Sequence, residues 1–123
     1  MAKKADKSVI RRDDGWLGYV NWTPTVAERE KVVVFMGKGS FDPMDYLLQL
    51  NESGYSTTSS YDEANSCHRL SVTGKGERCP NKGYTLSVRA SSPQRCVALA
   101  SYYIYVLCES GDWIVDKKGG EIW

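Results

Sequence analysis

Cys67-His68 together with Cys79 is the nearest this sequence comes to a metal-ligand cluster, and His68 is its only histidine. Zinc sites gather their ligands in pairs such as Cys-x-x-Cys, or as cysteines combined with histidines at short spacing. Cys67 and His68 are adjacent, and adjacent residues of a strand point to opposite faces, so this set does not converge. A Cys–His nucleophile needs a cysteine facing His68 across the sheet, and the pattern indicates none. Carboxylates are plentiful, but no pair sits within an apolar run as acid–base work favours. Gly-Lys-Gly occurs at 37–39 and again at 74–76. Neither copy has two glycines five apart followed by Lys and Ser or Thr, the spacing of a phosphate-cradling loop, so both read as turns. No catalytic residues, metal or cofactor are expected.

Charge layout carries more information than any motif. From Arg69 to Arg95 there are six basic residues, Arg69, Lys75, Arg78, Lys82, Arg89 and Arg95, against one acid, Glu77. From Asp42 to Glu63 there are five acids and no basic residue. A whole-chain net charge of +1 hides this segregation. If the loop bearing Lys75, Arg78 and Lys82 projects beside Arg69 and Arg89, a positive patch forms at one end of a sheet. Such a patch attracts phosphates and releases counterions on binding. The alternative is that the acidic and basic segments neutralise each other across the fold or between subunits.

The elements that must position these residues follow from pattern. At 123 residues the chain forms one domain, long enough to bury a core without disulfides or metal. Residues 1–14 read as a flexible basic arm, with a single α+β domain over 15–123. No apolar run approaches the roughly 18 residues of a membrane span, and the basic N-terminus lacks the apolar stretch of a secretory signal. A soluble intracellular protein is expected, with reduced structural cysteines. Cys96 and Cys108 on one helix stand too far apart to pair, whereas Cys67 and Cys79 flank a hairpin and are free to approach.

Trp16–Trp22 has the aromatic and apolar character of a strand. Thr25 and Glu28 form a capping-box pattern ahead of a helix that Gly37 would end, although the β-branched run 32–35 leaves a strand open. Asp42 before Pro43 starts a second helix that Gly54 closes. The period then changes to two. Residues 55–61, 67–74 and 83–90 read as a three-stranded antiparallel meander with Leu70, Val72, Tyr84, Leu86 and Val88 inward. Arg69, Ser71, Thr73, Thr85, Ser87 and Arg89 face the other side. Ser92 caps, and Pro93 opens, a last helix carrying Cys96, Leu99, Ala100, Tyr103, Ile104 and Leu107 at helical spacing, with Gly111 at its end. The expected class is α+β: a small antiparallel sheet of three to four strands, with two or three helices on one face.

The order helix, three-strand meander, helix over roughly 41–108 is similar to the double-stranded-RNA-binding domain. That family presents lysines at the start of its last helix to bridge phosphates, where "SSPQRC" here offers Arg95 alone. Separately, "RDDGWLGYVNW" with "GYTLSVRASSP" before an Ala/Leu/Tyr helix resembles small bacteriophage accessory proteins. That resemblance implies action in the cytoplasm of an infected bacterium, on nucleic acid or on a host or defence protein. The expectation is therefore a non-enzymatic accessory protein that binds nucleic acid through the six basic residues, assisted by the basic arm. The alternative is an inhibitor or interaction module, with the acidic stretch imitating DNA or docking on a basic factor, and with a homodimer open.

Overall fold

A computed structural model describes residues 7–10, 18–37, 40–108, 113–116 and 121–123, the segments 7–10 and 113–116 by backbone alone. Strands β1 (Lys7–Ile10) and β2 (Tyr19–Trp22) lead into helices α1 (Val26–Met36) and α2 (Pro43–Glu52). The meander follows as β3 (Tyr55–Asp62), β4 (Cys67–Gly74) and β5 (Thr85–Ala90). Helix α3 (Pro93–Tyr102) runs on into a π-helical turn (Tyr103–Leu107), and β6 (Trp113–Asp116) closes the order.

The main sheet has four strands in the order β2-β5-β4-β3. Its meander is antiparallel, but β2 lies parallel to β5, so the sheet is mixed where a wholly antiparallel one was expected. The reason is topological: α1 and α2 carry the chain from β2 at one edge to β3 at the other, and a crossover connection lets β2 run in the direction of β5. The α+β class and the packing of helices on the sheet are as the period changes imply.

Local chemistry sets the helix starts. The Thr25 hydroxyl accepts from the Glu28 N–H at 3.3 Å, and the Glu28 carboxylate accepts from the Thr25 N–H at 2.9 Å. This closed box, with Val32 fully buried, resolves 32–35 as helix. Asp42 caps α2 by accepting from the Met44 N–H, and Ser92 caps α3 by accepting from the Arg95 N–H. Gly54 has φ of +96°, which suits glycine after a helix.

Core packing lies on the even-numbered face of β2, β4 and β5. Val20, Trp22, Leu70, Val72, Leu86 and Val88 are buried there, each contributing about 1.5–3 kcal/mol for an aliphatic side chain. Residues 96 to 104, from α3 into the π turn, are all buried. Trp22 stacks at a tilt on Tyr103 with ring centroids 5.2 Å apart, and Phe35 touches both Tyr46 and Tyr102, which joins α1 to the other two helices. The π turn is seen in the Cys108 N–H, which donates to the Tyr103 carbonyl five residues back at 2.9 Å.

The arm expected over 1–14 needs correction in part. Lys7–Ile10 is a strand paired antiparallel with Trp113–Asp116, setting Val9 against Ile114 and Ile10 against Trp113. Val9 and Ile10 are β-branched and favour extended backbone, so the short Ser-Val-Ile run outweighs its charged flanks. Residues 1–6 and 11–17 of the expected arm and first strand, and Gly111, lie outside the described residues. Among the described residues no helix is long and apolar enough to cross a membrane.

Candidate nucleic-acid interface

The odd-numbered side chains of β2, β4 and β5, with the even-numbered ones of β3, form the sheet face opposite the core. Their register arranges them in rows. Tyr19, Thr85, Thr73 and Ser56 lie across the four strands, and Asn21, Ser87, Ser71 and Thr58 form the next row. Arg89, Arg69 and Ser60 form the third. Thr73 and Thr85 share a hydroxyl–hydroxyl bond of 2.9 Å. Apart from Tyr19 and Cys67, every side chain in these positions is a hydroxyl, an amide, a carboxylate or a guanidinium.

Arg69 and Arg89 stand directly opposite on neighbouring central strands. Like charges in that position repel, which disfavours the ladder. Arg69 is held: its guanidinium donates to Ser87 Oγ at 2.9 Å and to Asp62 Oδ2 at 3.1 Å. Asp62 also accepts from the backbone and side-chain N–H groups of Asn65. These Asn65 bonds first, and the Arg69 guanidinium after them, hold the Asp62 carboxyl below the usual carboxylate range. Arg89 has no hydrogen bond or ion pair among the described residues. Tyr19, Asn21, Arg69 and Arg89 line a shallow depression of about 530 Å³, with the Tyr19 ring half exposed.

The six basic residues divide into two groups. Lys75, Arg78 and Lys82 belong to the loop between β4 and β5, beyond Gly74, whereas Arg69 lies five residues back along β4. At about 3.4 Å per residue the two groups are separated by about 17 Å of strand. The single patch conditional on the loop projecting beside Arg69 and Arg89 therefore does not form. The loop folds back on the far end of the hairpin: Cys79 and Asn81 are buried, Asn81 Nδ2 donates to the Tyr55 hydroxyl at 2.8 Å, and the Lys75 and Gly76 N–H groups donate to the Gly54 carbonyl. Lys82 pairs with Glu77 at 2.9 Å, while Lys75 and Arg78 have no ion pair among the described residues. Arg95 is at the Arg89 end, but its guanidinium donates to Ser91 Oγ and the Trp123 main-chain oxygen and covers the Trp123 ring.

Tyr19 and Asn21 are the members of this site that the sequence reading did not include. Their odd positions in an alternating strand were a usable signal, but only pairing with β5 brings them beside Arg89. The opposite is true of His68. Its ring meets Tyr61 edge-on at 5.0 Å, and Cys96, which the sequence placed elsewhere, comes beside it. The Cys96 thiol donates to the His68 carbonyl and not to its ring. Burial pushes that thiol up to about 11, away from thiolate chemistry. All four cysteines are buried and none forms a disulfide. Among the described residues no group of three or more His, Cys, Asp or Glu could hold a metal ion.

No protein family matches this chain, and no curated protein or solved structure does either.

Proposed function

We propose that this protein binds nucleic acid through the polar face of its sheet, with the Arg69–Arg89 pair as the phosphate-binding centre. The observation that carries this reading is the placement of two guanidiniums directly opposite each other, one of them without a hydrogen bond or ion pair among the described residues, in a field of hydroxyls. A phosphate set between them would relieve their repulsion and accept charge-assisted bonds, for which the planar guanidinium fork is suited. Ser and Thr hydroxyls along the rows would donate to further phosphate and sugar oxygens. Among the described residues only Tyr19 offers a stacking surface on this face, so backbone recognition with little sequence preference is expected. Lys75 and Arg78 would add contacts for longer ligands, and Lys82 and Arg95, already engaged, would add less. No step of chemistry is assigned. The setting is the one that the phage resemblance implies, the cytoplasm of an infected bacterium.

Fluorescence anisotropy with labelled single- and double-stranded oligonucleotides at two salt concentrations tests this. Replacing both Arg69 and Arg89 by Ala should weaken binding at low salt about ten-fold or more and lower the salt slope by about two. Absence of binding at low salt, or binding indifferent to the double substitution, refutes it. A second reading, a protein-binding module, is favoured by one observation: Val26, Val33 and Val34 of α1 are exposed.

A further inference from the structure

The π turn at the end of α3 borders a cavity of about 240 Å³ on the helix side of the sheet. Ile104 and Cys108, both buried, give it apolar wall, and Pro80 of the β4–β5 loop adds a third apolar surface. Its polar lining comes from Ser53 after α2, Tyr55 at the start of β3, Asn81 in the loop, and Tyr105. A π turn puts one extra residue into a helix and moves the side chains after it round the axis, and such distortions are frequent at functional sites. Here the Cys108 N–H donates to the Tyr103 carbonyl, and the residues so placed, Ile104, Tyr105 and Cys108, are the ones that reach the cavity.

The polar groups are arranged at two depths. Deep in the wall, Asn81 Nδ2 donates to the Tyr55 hydroxyl at 2.8 Å, and both residues are buried. Burial, offset only in part by the Asn81 bond, holds that hydroxyl above the ordinary tyrosine range, so it stays protonated and neutral. At the exposed rim, the Ser53 and Tyr105 hydroxyls stand 3.5 Å apart, the limit of a hydrogen bond. A hydroxyl has one donor and two acceptor positions, so this one long contact leaves most of their capacity for a ligand.

No Lys, Arg, Asp or Glu lines the cavity. A charge brought into it would lose hydration with no opposite charge in place of the water. An apolar cavity of about 150 Å³ accepts benzene, so about 240 Å³ holds a single ring with one substituent. The two tyrosines supply ring surfaces with which an aromatic ligand pairs more favourably than an aliphatic one of equal size. We propose that this cavity binds a small uncharged aromatic molecule, its ring against Ile104, Pro80 and Cys108 and its polar substituent between the Ser53 and Tyr105 hydroxyls. Apolar walls with a few placed polar groups are the usual form of a small-molecule site. Tyr55 occupies an odd position of β3, on the side of the sheet away from Arg69 and Arg89, and the inference does not rest on the nucleic-acid reading.

Titration of the full chain with phenol and with benzamide, followed by backbone and side-chain amide NMR shifts, is the test. Both probes should bind saturably with a dissociation constant of about 1 mM or tighter, and the shifts should centre on Tyr55, the Asn81 side-chain amide, Ile104 and Cys108. Benzoate and benzylammonium should bind about ten-fold or more weakly, and cyclohexanol several-fold more weakly than phenol. Ser53→Ala combined with Tyr105→Phe should cost phenol and benzamide about ten-fold and leave toluene unaffected. Ser53→Phe, at an exposed position, should fill the mouth and abolish binding of every probe, with circular dichroism confirming that the variants fold. Failure of both neutral probes to saturate, shifts centred elsewhere, or binding indifferent to Ser53→Phe would each overturn the proposal. So would charged probes or cyclohexanol bound as tightly as phenol, or phenol indifferent to loss of both rim hydroxyls.

Discussion

Arg69 and Arg89 share a row of the sheet but differ in what their removal would leave behind. Arg69 is bonded to Ser87 and Asp62, so cutting it back takes one donor from a carboxylate that Asn65 still holds and leaves the buried Ser87 hydroxyl without its guanidinium. Arg89 makes no hydrogen bond or ion pair among the described residues and faces a like charge across the ladder. Arg89→Thr should therefore lower oligonucleotide affinity several-fold while raising stability by up to about 0.5–1 kcal/mol, measured by anisotropy and thermal unfolding of the same preparation. A loss of stability in that variant would count against an unpartnered Arg89. Asp62 gives the complementary case. Its lowered carboxyl pKa means that its contribution to stability is present at neutral pH and above its unfolded value, and is lost as pH falls through the folded value. Asp62→Asn should remove that acid-side step and release Arg69, tightening oligonucleotide binding a few-fold at neutral pH. Unchanged affinity would mean that the Asp62 charge does not reach the bound phosphate.

At the scale of elements, Gly74 decides whether the hairpin loop can close. A Cβ there would meet the Asn81 backbone oxygen at 2.2 Å and the Cys79 sulfur at 3.0 Å, and backbone cannot yield as a flexible side chain does. Gly74→Ala should cost about 2–3 kcal/mol, read as a fall in the urea midpoint, with a normal midpoint excluding the close approach. The same elements show what a sequence can disclose. Thr25 with Glu28, Asp42 with Pro43 and Ser92 with Pro93 are local signals, complete within four residues, and each helix starts where they say. The alternation in 67–74 and 85–90 is also local, so the outward set from Arg69 to Arg89 was legible in full. Pairing partners are not local. That β2 joins β5 in parallel, that Lys7–Ile10 meets Trp113–Asp116, and that Cys96 arrives beside His68 all depend on contacts between distant segments. The π turn was hidden for a related reason: Tyr103, Ile104 and Leu107 fit an α-helical period as well as a π one.

Across the whole molecule, the division of positive charge into two groups sets how affinity should grow with ligand length. The Arg69–Arg89 pair and the Lys75–Arg78 loop lie about 17 Å apart along β4. On duplex DNA, where phosphates of one strand rise about 3.4 Å per step, that span corresponds to about five base pairs. An oligonucleotide shorter than this can occupy the arginine pair alone, and its salt slope should be near two. Longer ones can also reach the loop, so their slope should rise by about one to two. Lys75→Ala with Arg78→Ala should then weaken long ligands and leave the shortest ones unaffected, whereas Arg89→Thr should weaken both. An anisotropy series in ligand length, repeated at several salt concentrations, separates these outcomes. A slope that does not depend on length would mean that the two groups act on separate ligands. A loop substitution that weakened even the shortest oligonucleotide would instead place the phosphate-binding centre at the far end of the hairpin, away from the hydroxyl rows.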